Sequence, residues 1–341
     1  MKLKDIGEFG FIDRIGKGCL VRRRDVVQAI GDDAAAFRVA EGEVILLTAD
    51  MLVERVHFLR HKTTGFHLGY KSLAVNLSDI AAMGGTAREA FVSIAIPEDC
   101  PLEFLDDLYE GMRALAQKYE VNILGGDTTG SRADLVINIS VTGSIPEDEI
   151  LLRSGAKPGD RVFVTGPLGD SKAGLHLILN DMDADSPELQ ALITAHELPE
   201  PHLREGRFLS RSEGVHAAID VSDGLSSDLA HILKMSDVGA RIYEERLPIT
   251  DSLKHFCERF GFNPSEVAVS GGEDYVLLGT VSADQAEETA QAFLDRFKRP
   301  LFLIGEITDS EGMVLQKRDG REESIRSSSW EHFKQKQESL I

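Results

Sequence analysis

Strand-like and helix-like stretches alternate along the whole of this chain, and that alternation constrains its fold class more than any other feature. Val44–Thr48 is a short apolar run, and Leu135–Thr142 alternates apolar with polar residues; both are marks of strands. Between them, Pro101–Glu120 sets Leu102, Leu105, Leu108, Met112, Leu115 and Tyr119 at spacings of three and four, which is one face of a helix. Thr64–Met83 reads as a second helix, stopped by Gly84-Gly85, and Phe91–Ile96 reads as a strand. A polar stretch with turn residues, Pro146–Lys157, marks a boundary. Beyond it, strands are expected at Arg161–Thr165, His216–Ile219, Tyr275–Gly279 and Leu301–Gly305. Helices are expected at Ser171–Asn180, His202–Ser212, Ser226–Met235 and Asp284–Phe297. Each half mixes both kinds of element, so the expected class is α+β, built as two mixed α/β domains over 1–148 and 149–341.

The 341 residues suit two domains of ordinary size. Lys and Arg number 37 against 57 Asp and Glu, a formal net charge of −20. A surface this acidic repels nucleic acid and anionic membrane, so neither is an expected partner. No apolar run approaches the length needed to cross a bilayer, ~18 residues or more. The start, MKLKDIGEFG, carries charge with no apolar stretch after it, which predicts no signal peptide. The three cysteines are far apart and form no CxxC pair, so neither a zinc site nor a disulfide framework is signalled. A reducing, cytoplasmic setting is the expectation.

Several short stretches share one design, a carboxylate beside glycine or another small residue. They are Gly31-Asp32-Asp33, Thr48-Ala49-Asp50, Asn76-Leu77-Ser78-Asp79, Gly125-Gly126-Asp127-Thr128, Asp220-Val221-Ser222-Asp223-Gly224 and Ser270-Gly271-Gly272-Glu273-Asp274. Each is expected where a strand ends or a helix begins, except Asp79, which falls inside the Thr64–Met83 helix beside apolar Leu77 and Ile80. Magnesium takes hard oxygen ligands and bridges one or two carboxylates to substrate phosphates. Glycine lets backbone approach a phosphate closely. Clustered carboxylates without a cation would repel one another, and bound metal removes that conflict. The pattern therefore reads as metal plus phosphate, although any single stretch is also an ordinary turn or helix cap. The usual nucleotide signatures are missing: there is no GxxxxGK[ST], no HRD and DFG pair and no GxGxxG. HExxH and GxSxG are absent too.

The order of the motifs is more informative than any one of them. GDDAA, TAD, the pair His57-Phe58, AVNLSDIAAMG, GGDTT, RSGAKPGD, VTGPLGDS, DVSDGL and SGGEDY together resemble the thiamine-monophosphate kinase family, which belongs with aminoimidazole ribonucleotide synthetase and its relatives. The resemblance runs from about Gly7 to about Phe333. It implies an aminoimidazole ribonucleotide synthetase-like fold and a homodimer formed by an N-terminal domain that also binds ATP and Mg²⁺. It implies ATP-dependent conversion of thiamine monophosphate to thiamine diphosphate, with several Mg²⁺ ions as cofactors. By motif, Asp33, Thr48, Asp50, Asp79, Asp127, Asp220 and Asp223 would hold magnesium, with Ala49 able to contribute only its carbonyl. Gly126, Asp127, Arg153 and Ser222 would contact ATP, with Tyr109 near the nucleotide; His57, Glu273 and Trp330 would contact the thiamine phosphate. No residue is expected to act as a general base; the chemistry would be metal-assisted, with Asp127 and Asp223 in support. Bland readings stand beside these. Arg153 could pair with a surface acid, Tyr109 could simply be exposed, His57 could be a satisfied structural histidine, and Trp330 could pack the tail onto the body.

Overall fold

The computed structural model describes residues 26–28, 35–40 and 42–325. Two sheets organise them. The first has the order β1-β2-β3-β6-β4-β5, with β1 Val26–Gln28, β2 Ala35–Ala40, β3 Glu43–Val53, β4 Thr86–Pro97, β5 Asn122–Ser131 and β6 Val136–Pro146. Its pairs are antiparallel except β4 with β5, and that parallel pair is joined through helix α2, Leu102–Tyr119, as a parallel connection requires. The second sheet has the order β13-β12-β9-β11-β7-β10-β8, with β7 Arg161–Val164, β8 Val215–Asp220, β9 Gly239–Tyr243, β10 Leu277–Val281, β11 Phe302–Thr308, β12 Gly312–Gln316 and β13 Glu322–Ser324. The chain is α+β, as expected.

Helix α1, Gly65–Ala82, begins at Thr64, whose hydroxyl accepts the His67 amide at 3.1 Å, and ends at Met83 and a left-handed Gly84. Both ends fall where the sequence places them. Its buried residues run almost all the way round the helix, because α1 lies between the first sheet, α2, strand β8 and helix α5, Leu203–Leu209. Contact with α2 is at backbone range. A methyl added at Gly69 would lie 1.8 Å from the Leu108 carbonyl oxygen, and one at Gly111 would lie 1.9 Å from that of Phe66. On α2 the expected face is buried through Leu108, Met112 and Leu115, but Leu102 at the first turn is 68% exposed.

The remaining described helices are α3 Asp170–Leu179, α4 Pro187–Glu197, α6 Leu225–Ser236, α7 Asp251–Phe260, α8 Pro264–Ser270 and α9 Ala286–Phe297. One apolar core runs through both halves. Val44, Leu77, Ile80, Met112 and Ile139 belong to the same buried cluster as Phe163, Ala218, Leu277 and Phe293. A second cluster lies on the other side of the second sheet, around Val164, Leu229 and Ile304.

Two expected turns are corrected by the fold. Thr48-Ala49-Asp50 lies inside β3, and Gly125-Gly126-Asp127-Thr128 lies inside β5. Pairing with β4 keeps the glycines extended, and Gly126, at φ 145°, approaches β4 so closely that a methyl there would sit 1.7 Å from the Val92 carbonyl oxygen. Glycine at that point serves close strand packing. Tyr275, expected to begin a strand, precedes β10 instead, with φ 51°.

Candidate active site

Even-numbered residues of β3 face α1 and odd-numbered ones face away, so Thr48 is buried and Asp50 half-buried on the helix side. The Thr48 hydroxyl donates a short hydrogen bond to Oδ2 of Asp79 on α1. The Asp50 amide donates to Oδ1 of Asn76, one turn earlier on the same helix, at 3.1 Å. Asn138 on β6 donates its side-chain amide to the Asp50 carbonyl at 3.0 Å. Between Asn76 and Asp79, Ser78 points the other way. Its hydroxyl donates to Oδ2 of Asp220, the last residue of β8, at 2.6 Å. Two carboxylates from opposite halves are thus each held by a hydroxyl, and α1 supplies both the first carboxylate and the hydroxyl that holds the second.

The Asp220–Gly224 turn joins β8 to α6, as expected. Its shape is set by Asp228, a residue the sequence reading passed over. Asp228 Oδ2 accepts the amides of Asp223 and Gly224 at 3.1 and 3.0 Å. Next to the turn runs the segment from α8 to β10. The Glu273 amide donates to the Ser222 carbonyl at 2.7 Å, and the Tyr275 amide donates to that of Val221 at 2.9 Å. Tyr275 is buried among the acids. Burial, and then the charges of Glu273, Asp50, Asp220 and Asp223, drive its phenol well above the ordinary tyrosine value. Asp50, Asp220, Asp223 and Glu273 are thus all near enough to act electrostatically on the Tyr275 phenol, and Asp79 lies one α1 turn from Asn76, which binds the Asp50 amide.

Glu273 itself is held by one cation, Lys71, with a histidine beside it. Lys71 Nζ on α1 lies 2.7 Å from its Oε1, and His196 Nδ1 at the end of α4 lies 3.5 Å from its Oε2. Burial opposes the ionised form of Glu273, but Lys71, His196 and His57 outweigh it and hold the carboxyl below its usual range. His57 accepts the Val53 amide on Nδ1 at 3.0 Å, which leaves the proton of a neutral ring on Nε2. The neighbouring Asp274 is pushed up to about 8 by burial, against the amides of Gly169 and Ser171 that it accepts at the start of α3.

The other expected residues lie farther out. Gly126 and Asp127 are exposed on β5, at the sheet edge. Asp127 shares a row with Ser93, Asn138 and Met51, whereas Asp50 shares the adjacent row with Ile139, Val92 and Gly126. Three strand spacings separate β5 from β3, about 14 Å, so Asp127 does not join the group around Tyr275. Ala49 is on the outward face of β3, and Tyr109 is half-buried against the first core. Arg153 is half-buried beside His231 of α6, which burial and then Arg153 push down to about 4. Asp33 and Trp330 lie outside the described residues.

Every donor in the central group is a hard oxygen, the kind magnesium takes. Among the described residues no three acidic, histidine or cysteine side chains form a ready-made metal cage. Mg²⁺ commonly uses one or two carboxylates and fills its remaining positions with phosphates and water, and the carboxylates oriented by Thr48 and Ser78 are donors of that kind.

Comparison with known proteins agrees with this architecture. The AIR synthase related protein family matches in two parts, its N-terminal domain at residues 31–145 and its C-terminal domain at 157–318. Thiamine-monophosphate kinase of Aquifex aeolicus is 35% identical over 333 residues, covering 98% of this chain and 100% of its own. The Bacillus subtilis enzyme of the same name is 38% identical, covering 92% of this chain and 96% of its own. The solved structure "AaThiL complexed with AMPPCP and TMP" superposes with a TM-score of 0.86 at 35% identity, covering 97% of this chain and 99% of that one. The chain belongs to the thiamine-monophosphate kinase family, within the AIR synthase related proteins.

Proposed function

We propose that this protein is a kinase that transfers the γ-phosphoryl group of ATP to thiamine monophosphate, giving thiamine diphosphate. One observation carries the reading: carboxylates from β3, α1 and the β8–α6 turn gather at one junction, in a fold shared almost end to end with a kinase solved with AMPPCP and TMP.

The acceptor is a phosphate monoester whose second pKa is about 6, so it is mostly dianionic at neutral pH. It needs no strong general base, and direct in-line transfer without a phosphoenzyme follows. The difficulty is bringing two polyanions together beside acidic side chains, and phosphoryl transfer is catalysed chiefly by positioning and charge neutralisation. Asp50, Asp79, Asp220 and Asp223 would hold Mg²⁺, which would supply neutralisation of the phosphate charge. Thr48 and Ser78 fix the direction of Asp79 and Asp220. Ser222 and Arg153 would meet the nucleotide phosphates, and His57 and Glu273 the acceptor. Asp33, Ala49, Tyr109, Gly126, Asp127 and Trp330 would carry the roles that motif order implies, Asp127 acting from edge strand β5, away from the carboxylates around Tyr275.

We also infer a homodimer. The face of the first sheet turned away from α1 is open, and Leu47, Met51 and Phe91 on it are 39%, 55% and 40% exposed. An uncovered apolar sheet face suits a second copy. In this reading residues 1–148 form the nucleotide-binding and dimerising half, and 149–341 the second domain. The described cysteines Cys100 and Cys257 are unpaired, in keeping with a cytoplasmic setting, and none of the described helices is long and apolar enough to cross a membrane.

The test is direct. The purified protein incubated with thiamine monophosphate, ATP and Mg²⁺ should form thiamine diphosphate and ADP in equal amounts. ADP without thiamine diphosphate would refute the acceptor assignment.

A further inference from the structure

Lys71 is an anomaly in α1. It sits among Leu68, Leu73, Ala74 and Val75 and is only 7% exposed. A buried ammonium needs partners that compensate for lost water. Lys71 has two: Nζ donates to Oε1 of Glu273 at 2.7 Å and to Nε2 of His196 at 3.2 Å. Because His196 accepts on Nε2, its proton is on Nδ1, which faces the Ser171 hydroxyl at 3.0 Å and the second Glu273 oxygen at 3.5 Å. His196 is itself 8% exposed. One oxygen of Glu273 is therefore held by Lys71 of the N-terminal half, and the other faces His196 of α4 at 3.5 Å.

Glu273 needs such a grip. It is a non-glycine residue in the left-handed region, with φ 61°, in a segment that lacks regular structure, and its side chain keeps 30% exposure. The bonds from the Glu273 amide to Ser222 and from the Tyr275 amide to Val221 fasten the main chain there to the β8–α6 turn but leave the carboxylate itself unfixed. Without Lys71 and His196 the carboxylate would have several rotamers available.

We propose that Lys71 and His196 are positioning residues for acceptor recognition, locking the Glu273 carboxylate in one orientation so that it can meet the cationic ring system of the thiamine ester. The proposal rests on the reading of Glu273 as an acceptor contact. Lys71 and His196 touch no reacting atom in this scheme; they act through Glu273 alone. Their removal should therefore weaken acceptor binding and leave the nucleotide untouched.

Steady-state kinetics on the full-length enzyme separate the possibilities, with both substrates varied. Lys71→Met should raise KM for thiamine monophosphate about 10- to 100-fold, the effect of losing one charge-assisted hydrogen bond. KM for ATP should stay near the wild-type value. Lys71→Arg, which keeps the charge, should recover part of the loss. His196→Gln, which leaves the Lys71–Glu273 pair in place, should shift the same constant by a smaller factor and gives the reading should Lys71→Met fold poorly. The charge-neutral double variant Lys71→Met/Glu273→Gln should be no worse for the acceptor than Glu273→Gln alone. Equal rises in both KM values, or fully additive single effects, would overturn the positioning role. If Glu273→Gln raises the acceptor KM and Lys71→Met does not, only the positioning role fails. If Glu273→Gln leaves that constant unchanged, the acceptor contact fails and the positioning role fails with it.

Discussion

Replacing Ser78 with alanine removes one hydroxyl from the seam between the two halves of the protein. Ser78 is fully buried and Asp220 is 2% exposed, so water cannot replace the lost donor. The hydrogen bond is 2.6 Å long and runs to an ionisable carboxyl. Bonds of this kind contribute about 1.5–3 kcal/mol, and the orphaned oxygen keeps its desolvation penalty. For a chain of this size that corresponds to a fall in melting temperature of about 2–4 °C. A second effect follows from position. Ser78 stands behind a proposed metal-binding carboxylate, and losing such an outer partner typically weakens metal affinity about 10- to 100-fold. The assay is a thermal melt with and without Mg²⁺, followed by turnover measured against Mg²⁺ concentration. The variant should melt earlier and need more Mg²⁺ for half-maximal rate. A wild-type melting temperature would refute the energetic argument, and an unchanged Mg²⁺ requirement would remove Asp220 from the metal site.

Four further outcomes are expected. Asp223→Asn should lose most turnover while keeping the wild-type circular dichroism spectrum, and a near-normal rate would exclude Asp223 from metal binding; the same assay on Asp127→Asn decides whether that exposed residue of β5 has any part in the reaction. Gly69→Ala should lower the urea midpoint by about 1–3 kcal/mol equivalent, because its methyl would meet the Leu108 carbonyl at 1.8 Å; an unchanged midpoint would mean that α1 and α2 separate easily. Met51→Lys puts a charge on the open face of the first sheet and should shift the protein toward monomer in analytical ultracentrifugation; an unaltered dimer would move the interface elsewhere. His202 is pushed down to about 3 by burial and then by Arg299, so the unfolded chain binds a proton in acid that the folded chain refuses. Its contribution to stability is complete above about pH 6.5 and falls as pH drops below that value, by up to about 1.4 kcal/mol per pH unit. The melting temperature of His202→Asn should thus decline less steeply than wild type between neutral pH and pH 4, and parallel profiles would show that His202 is not buried neutral.

How much of this could be read beforehand depends on how local the cause is. Helix α1 was legible because its cap, its stop and its composition are all contiguous in sequence. The Asp220–Gly224 turn was legible for the same reason. The strand character of Gly125–Thr128 was not, since glycines look like a turn until β4 is there to pair with them. Three helices, α4, α7 and α8, were missed although each carries a local start signal, the side-chain caps Ser186, Thr250 and Asn263. Ser78 was visible inside the NLSD motif, but its partner Asp220 is distant in sequence and only the fold joins them. Lys71 was the least legible of all. A lysine in a helix ordinarily reads as surface, and the signal that it is not is the apolar residues on every side of it. Asp127 illustrates the reverse case: its motif is clear, but sheet register sets it apart from the acids it was expected to join.

The buried cluster that threads both sheets limits how this enzyme can admit its substrates. Prising the halves apart like a clamshell would strip solvent-free leucine and phenylalanine side chains from Leu77 through Phe293 at once, and the Ser78–Asp220 link would break with them. Entry and exit must instead rely on local adjustment at the mouth, around a frame that stays closed throughout the cycle. Heat and denaturant should accordingly dismantle the two halves in one step, with no half-folded species accumulating between.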